Sequence, residues 1–240
     1  MNSADFLAKQ QIYFTGSYDQ FCAFGGPCVH FHRECIKAGE ADFLGDRHVE
    51  MLYATLTAWG MHRMGDSETT KTKLTNWDVF RHSLLTNAKD LERFRSLDLL
   101  ALSESDYEEA LEALGDCYRA LKVSVSDATI VANSKALFHV LPRLIPPIDR
   151  QYTVRFFNHP SVQWRDSKGK FKTIMLPAGI DAQFRLFEAI CCKVKRLADR
   201  VNRPLLDTEM REHGVSAPKA IDNAIVAYVR AKSGGSISAS

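Results

Sequence analysis
The sequence predicts an all-α chain, mostly helical, with two lobes around a cleft and one small β-hairpin. Three observations carry that expectation. Apolar residues recur at spacings of three and four along most of the 240 residues, which gathers them on single helical faces. Residues that start and stop helices punctuate those runs. Strand-like residues flank a turn in one stretch, Val162 to Met175. Hydrophobic residues make up 45% and charged residues 25%, the balance of a globular domain with its own core. Residues 1–232 read as one helical domain, and the small, polar run from Ser233 to Ser240 as a loose tail.

Taken in order, helices are expected over about 4–14, 18–37, 46–62 and 76–93. Ser103 with Asp106 forms a capping-box-like start, after which Tyr107, Leu111, Leu114, Tyr118 and Leu121 share one face. Ser126 or Asp127 is the expected N-cap of a helix that ends by Leu141, because Pro142 cannot donate to the preceding turn. A hairpin follows, with its turn at Arg165 to Gly169. Ile180, Phe184, Phe187, Cys191, Val194 and Val201 mark a helix over about 179–202. Arg185, Lys193, Lys195, Arg196 and Arg200 lie on its other side. Ser216 caps the last helix, Pro218 sits in its first turn, and Ile221, Ile225 and Tyr228 line its apolar stripe.

The formal net charge is +2, from 31 basic and 29 acidic residues. That total neither requires nor excludes nucleic acid, since only groups facing the ligand release its counterions. No apolar run approaches the ~20 residues of a membrane span, and the first residues lack a signal peptide's basic start and apolar stretch. The expected location is therefore cytoplasmic, with the six cysteines reduced.

One segment carries chemistry. On the helix before Pro142, Lys135 lies between Val131 and Phe138, which partly buries its stem. Pro146 and Pro147 then hold the backbone extended ahead of Asp149. Asp149 can cap a helix from Gln151 to Phe157, where exposed amides and the helix dipole favour its ionised form. A carboxylate so held suits a cationic transition state. The plain alternative is that Asp149 only caps and Lys135 only extends its amine to water.

A lysine-bearing helix, a proline-containing turn and an aspartate opening the next helix resemble the active-site segment of the helix-hairpin-helix DNA glycosylase superfamily. The resemblance spans about 30 residues. It implies that Asp149 stabilises the sugar cation left as the base departs, and positions the attacking water. It implies for Lys135 the place of the Schiff-base lysine of bifunctional members, 149 − 135 = 14 positions upstream. The glycine-rich hairpin that holds a DNA phosphate in that superfamily is replaced by Val123-Ser124-Val125-Ser126-Asp127. This departure favours base excision without coupled strand cleavage, needing neither metal nor organic cofactor.

Trp59, His62 and Arg63, beside Gly60 and Gly65, offer a stacking surface and polar donors for an extruded base. They also read as a helix end packed by Trp and Met and capped by Gly65. Arg150 and Tyr152 follow Asp149 and are candidates for binding DNA, with Arg155, Phe156 and Phe157 behind them; Phe156 and Phe157 read as core. Trp164, Arg165, Lys168, Lys170, Lys172 and the basic side of the 179–202 helix could extend that surface, or remain an ordinary solvated face. Cys22, Cys28, His30, His32 and Cys35 cluster in fourteen residues but match no standard zinc spacing. A metal enzyme around Cys28, His32 and Cys35 is one rival. A non-catalytic helical module binding nucleic acid or protein is the other. The leading expectation is excision of a modified base from DNA, with glucosylated hydroxymethylcytosine of phage genomes, and hence antiviral defence, as one possibility.

Overall fold
Caps and glycines cut the chain into helices largely where the residues mark them. A computed structural model describes residues 3–16, 27–61, 74–126, 128–161, 163–167 and 171–232; the side chains of 163–167 and 171–173 are outside that description. The first expected helix is two, α1 (Ser3–Ala8) and α2 (Gln10–Thr15), broken at Lys9. Then come α3 (Cys28–Ala41) and α4 (Asp46–Leu56), the latter running into a wide turn, Thr57–Met61. The 76–93 helix is also two, α5 (Trp77–Thr86) and α6 (Ala88–Glu92). Asn76 caps α5 by accepting from Val79 N at 3.0 Å.

Helix α7 (Glu104–Ala113) starts as expected, Ser103 accepting from Asp106 N at 3.1 Å. It is followed by α8 (Gly115–Ala120) and α9 (Thr129–Val140). A wide turn, Arg150–Val154, leads into the single helical turn α10 (Arg155–Phe157). Strands β1 (Gln163–Ser167) and β2 (Phe171–Met175) pair antiparallel, Gln163 opposite Met175. Helices α11 (Ile180–Ala198), α12 (Arg203–His213) and α13 (Ala217–Lys232) are the last of the described elements. The fold is all-α, as expected. Helix α12 was not anticipated, although Asn202 caps it, Pro204 opens it and left-handed Gly214 ends it, a sequence of signals that does specify a helix. No helix among the described residues is long and apolar enough to cross a membrane.

The last helix, α13, is the most enclosed. Every residue from Ala217 to Val229 is buried, against α2, α11, α12 and the Arg150–Val154 turn. Aromatic rings tie the two ends of the chain together: Tyr228 meets Tyr13, Phe156 and Phe6 with centroids 5.0, 5.3 and 5.8 Å apart, geometry that adds to area burial. Phe156 is thus core, as its place in the sequence suggested. Helices α3 and α4 approach closely at Gly39, where a Cβ would sit 2.7 Å from the His48 ring.

The start of α9 corrects an expectation. Its N-cap is Ala128, without a side-chain cap. The buried carboxamide of Gln183, on α11, does that work: its Oε1 accepts from Ile130 N (3.0 Å) and Thr129 Oγ1 (3.1 Å). A helix start covered by other elements needs such a partner, because water cannot reach its amides. Gln183→Ala is therefore expected to destabilise the fold by about 1–2 kcal/mol, read as a lower urea midpoint; an unchanged midpoint would refute the capping role.

Candidate active site
The site is built where α9 meets the chain after it. Ile145 to Ile148 are all buried, and the two prolines among them carry no N–H. The segment's polar groups are met from several sides. Tyr107 Oη donates to Leu144 O at 3.0 Å, and Leu99 N donates to Arg143 O at 2.9 Å. Ile148 N donates to Ser134 Oγ at 3.1 Å. One position farther along both segments, Lys135 Nζ lies 3.6 Å from Asp149 Oδ2. Ser134–Ile148 and Lys135–Asp149 are successive rungs, so the hydroxyl of Ser134 sets the register that brings the ion pair together. Asp149 Oδ1 accepts from Gln151 N at 2.7 Å, the expected cap. A third of the Asp149 side chain is exposed, against an eighth of Lys135, so the carboxylate is the more open partner.

Trp59 joins this pair. Its half-buried ring lies 5.8 Å from Lys135 Nζ, and its Nε1 donates to Cys28 O at 3.4 Å. It sits on the wide turn after α4, where Gly60 takes a left-handed φ of 77°, a conformation that glycine adopts without strain. His62 and Arg63, the other two candidates of that segment, lie outside the described residues. Arg150 is half-buried in the turn after Asp149. Tyr152 is also half-buried, and its hydroxyl accepts from Arg230 Nε at 3.4 Å.

Histidines back the tryptophan. His139 Nδ1 lies 2.7 Å from Lys135 O, so that nitrogen carries the proton and Nε2 accepts from His32 Nδ1 at 3.1 Å. Leu44 N donates to His48 Nδ1 (3.0 Å), which leaves His48 Nε2 to donate to His139 O (3.3 Å). Burial lowers all three, His139 to about 3 and His32 to about 2, the latter also through the positive charge of Lys219. They are neutral, and they orient rather than transfer protons. Behind them lies a cavity of about 410 Å³ lined by His32, Phe138, His139, Arg95, Arg143 and Ser216, among others.

The sequence concealed one half of the site. Lys219 and Asp222, 4% and 7% exposed, pair at 2.7 Å on α13. Lys219 Nζ lies 5.3 Å from the same Trp59 ring. Asp222 Oδ1 accepts from Thr153 Oγ1 at 3.3 Å, and Thr153 Oγ1 accepts from Asp149 N at 3.2 Å. Burial raises the Asp222 carboxyl above its ordinary range, against the pull of Lys219. The one available signal was a Lys and an Asp three apart in a stretch, Ala217 to Val229, that is otherwise apolar apart from Asn223 and the Tyr228 hydroxyl.

Other candidates are placed elsewhere. Cys28 Sγ donates to Ala58 O at 3.2 Å, Cys35 is buried, and His32 is paired with His139; among the described residues no group of three His, Cys, Asp or Glu is arranged to hold a metal. The basic side of α11 is partly engaged. Arg196 binds Glu104 and Glu108 of α7, and Lys195, expected on the solvated side, is buried against Asp199. The side chains of Trp164, Arg165 and Lys172, together with residues Lys168 and Lys170, lie outside the described residues. No family model matches this chain, and comparisons with curated proteins and with solved structures likewise find no match.

The neutral histidines make stability depend on pH. Unfolded, each titrates near 6.5; folded, His32 and His139 stay neutral far below that. The unfolded chain therefore binds more protons below pH 6.5, and stability falls as pH drops, by about 1.4 kcal/mol per pH unit for each histidine. Glu209 acts in the opposite sense, since burial and the charge of Glu212 raise it to about 7, and it favours the fold as pH falls from 7 towards 4.5. In urea titrations between pH 6 and 5, His32→Gln is expected to flatten the decline and Glu209→Gln to steepen it. Parallel curves for both variants would contradict this assignment.

Proposed function
We propose that this chain is a monofunctional DNA glycosylase. The observation that carries the reading is the ion pair between Lys135 and Asp149, 3.6 Å apart, in the arrangement the superfamily resemblance implies. Cleavage of an N-glycosidic bond leaves positive charge on the sugar. A carboxylate already held in place at that position lowers the barrier without reorganising during the step. Asp149 meets the requirement: its Oδ1 is fixed by Gln151 N, while Oδ2 faces Lys135 and the side chain reaches solvent. It stabilises the sugar cation and orients water towards the sugar carbon, leaving an abasic site.

Lys135 supports Asp149 by charge in this reading. Its amine is held between the carboxylate and the Trp59 ring, which favours pairing over attack on the sugar. The target nucleotide must leave the helix to reach the pair, and Trp59, His62, Arg63, Arg150 and Tyr152 are the residues assigned to hold it and the adjoining strand. Glucosylated hydroxymethylcytosine of phage DNA is the first base to test, which would make the activity one of antiviral defence.

DNA carrying damaged, methylated or glucosylated bases, incubated with the protein and then treated with alkali, is expected to break at abasic sites. Asp149→Asn is expected to slow excision by on the order of 10²-fold or more while leaving DNA binding intact. A wild-type protein inactive on every substrate, or an Asp149→Asn variant as active as wild type, would leave the non-catalytic binding module as the better reading. Borohydride is expected to trap no adduct; a covalent complex lost in Lys135→Ala would instead assign the lysine as nucleophile.

A further inference from the structure
Lys219 and Asp222 have no role in the scheme above, yet they are the most expensive charges near it. A buried ion pair seldom adds net stability over well-packed apolar residues of the same volume, so its presence on the most enclosed helix calls for another reason. Its surroundings supply one. Asp222 is linked to Asp149 by a single hydroxyl: Asp149 N donates to Thr153 Oγ1, and Thr153 Oγ1 donates to Asp222 Oδ1. Lys219 holds the other carboxylate oxygen at 2.7 Å and lies over Trp59, the ring that Lys135 also faces. Two lysines and two aspartates thus form one electrically neutral cluster around an indole ring.

We propose that Lys219, Asp222 and Thr153 are positioning residues for Asp149. Thr153 holds the main chain of Asp149, and Asp222 holds the hydroxyl of Thr153. The Lys219–Asp222 pair also keeps the local field balanced, so that Asp149 meets positive charge from one fixed partner, Lys135. The inference rests on the glycosylase reading for its catalytic meaning, but its physical content is a property of Asp149 itself. Lys135 pairs with Asp149 directly, Asp222 on α13 is linked to it through Thr153 and held by Lys219, and Arg150 follows it in the chain. His139 on α9 and His32 on α3, which back the Trp59 ring, are held neutral by burial.

The test follows the Asp149 carboxyl directly by ¹³C NMR across pH, in the full chain. Asp222→Asn leaves the Lys219 charge unbalanced and is expected to lower the Asp149 midpoint by about half a pH unit or more. The double variant Lys219→Met with Asp222→Leu removes both charges and is expected to bring the midpoint back towards wild type, with a packed apolar pair in place of the ions if either single variant folds poorly. Thr153→Val is expected to speed hydrogen exchange at the Asp149 amide at least tenfold, and Thr153→Ser to restore protection. With an excised substrate, Asp222→Asn should lower kcat at least tenfold with KM little changed. An Asp149 midpoint and amide exchange indifferent to all of these variants would overturn the proposal. A protein that excises nothing, but whose Asp149 titration moves as described, would overturn the glycosylase reading and leave the positioning of Asp149 standing.

Discussion
The register between α9 and the segment after it is the constraint on which the rest of the site depends. Pro146 and Pro147 can donate no hydrogen bonds and hold their neighbours extended, so this stretch cannot close on itself. It is instead buried from Leu144 to Ile148 and answered from outside, by Tyr107 at Leu144 and by Ser134 at Ile148. Arg143, at its start, is clamped on Asp98 through Nε and Nη2. With Ser134 opposite Ile148, Lys135 has no place but opposite Asp149. A slip of one residue would bury Asp149 against an apolar face and expose Ile148, and both changes are costly.

The protein's treatment of polar groups near that register is uneven, and informative. Histidines 32, 48 and 139 are buried in neutral form, His48 and His139 with both ring nitrogens matched and His32 bonded to His139 through Nδ1, so they can be enclosed without a counter-ion. Lys219 and Asp222 are buried as charges and matched to each other, to Thr153 and to the face of an indole. The first arrangement gives the wall behind Trp59 a fixed orientation. The second introduces charge where the fold alone has no need of it. Departures from regular helix occur at the same place: the left-handed turn at Gly60 presents Trp59, and the wide turn Arg150–Val154 follows Asp149. Irregular helical turns recur at functional sites because they re-aim side chains that a regular helix would direct elsewhere.

Surface charge is less available than the sequence implies. Arg196 is taken up by Glu104 and Glu108, Arg119 by Asp116 and Asp181, and Arg95 by the carbonyls of Gly39 and Glu40. The start of α9 has its Ile130 amide committed to Gln183, so that amide is not open to a phosphate. On the proposed reading, DNA would have to be held chiefly by groups around the Asp149 turn rather than by the start of α9.

Local chemistry was enough to determine where several helices begin or end. Ser103, Pro142, Asp149 and Gly214 act through their own backbone and nearest neighbours, so their effect is written in the order of residues. The stripe Tyr107, Leu111, Leu114, Tyr118 and Leu121 is buried throughout, although the chain breaks into α7 and α8 at Leu114. The nearness of Lys135 and Asp149 was also legible, because a rigid turn separates them by only 14 positions. Tertiary structure alone decided that Gln183 would cap α9 from 53 residues away, that His32 would meet His139 across 107, and that Thr153 would reach Asp222 across 69. Such pairings follow from how apolar faces stack, and no periodicity along the chain encodes which polar atoms are left facing one another once those faces have closed.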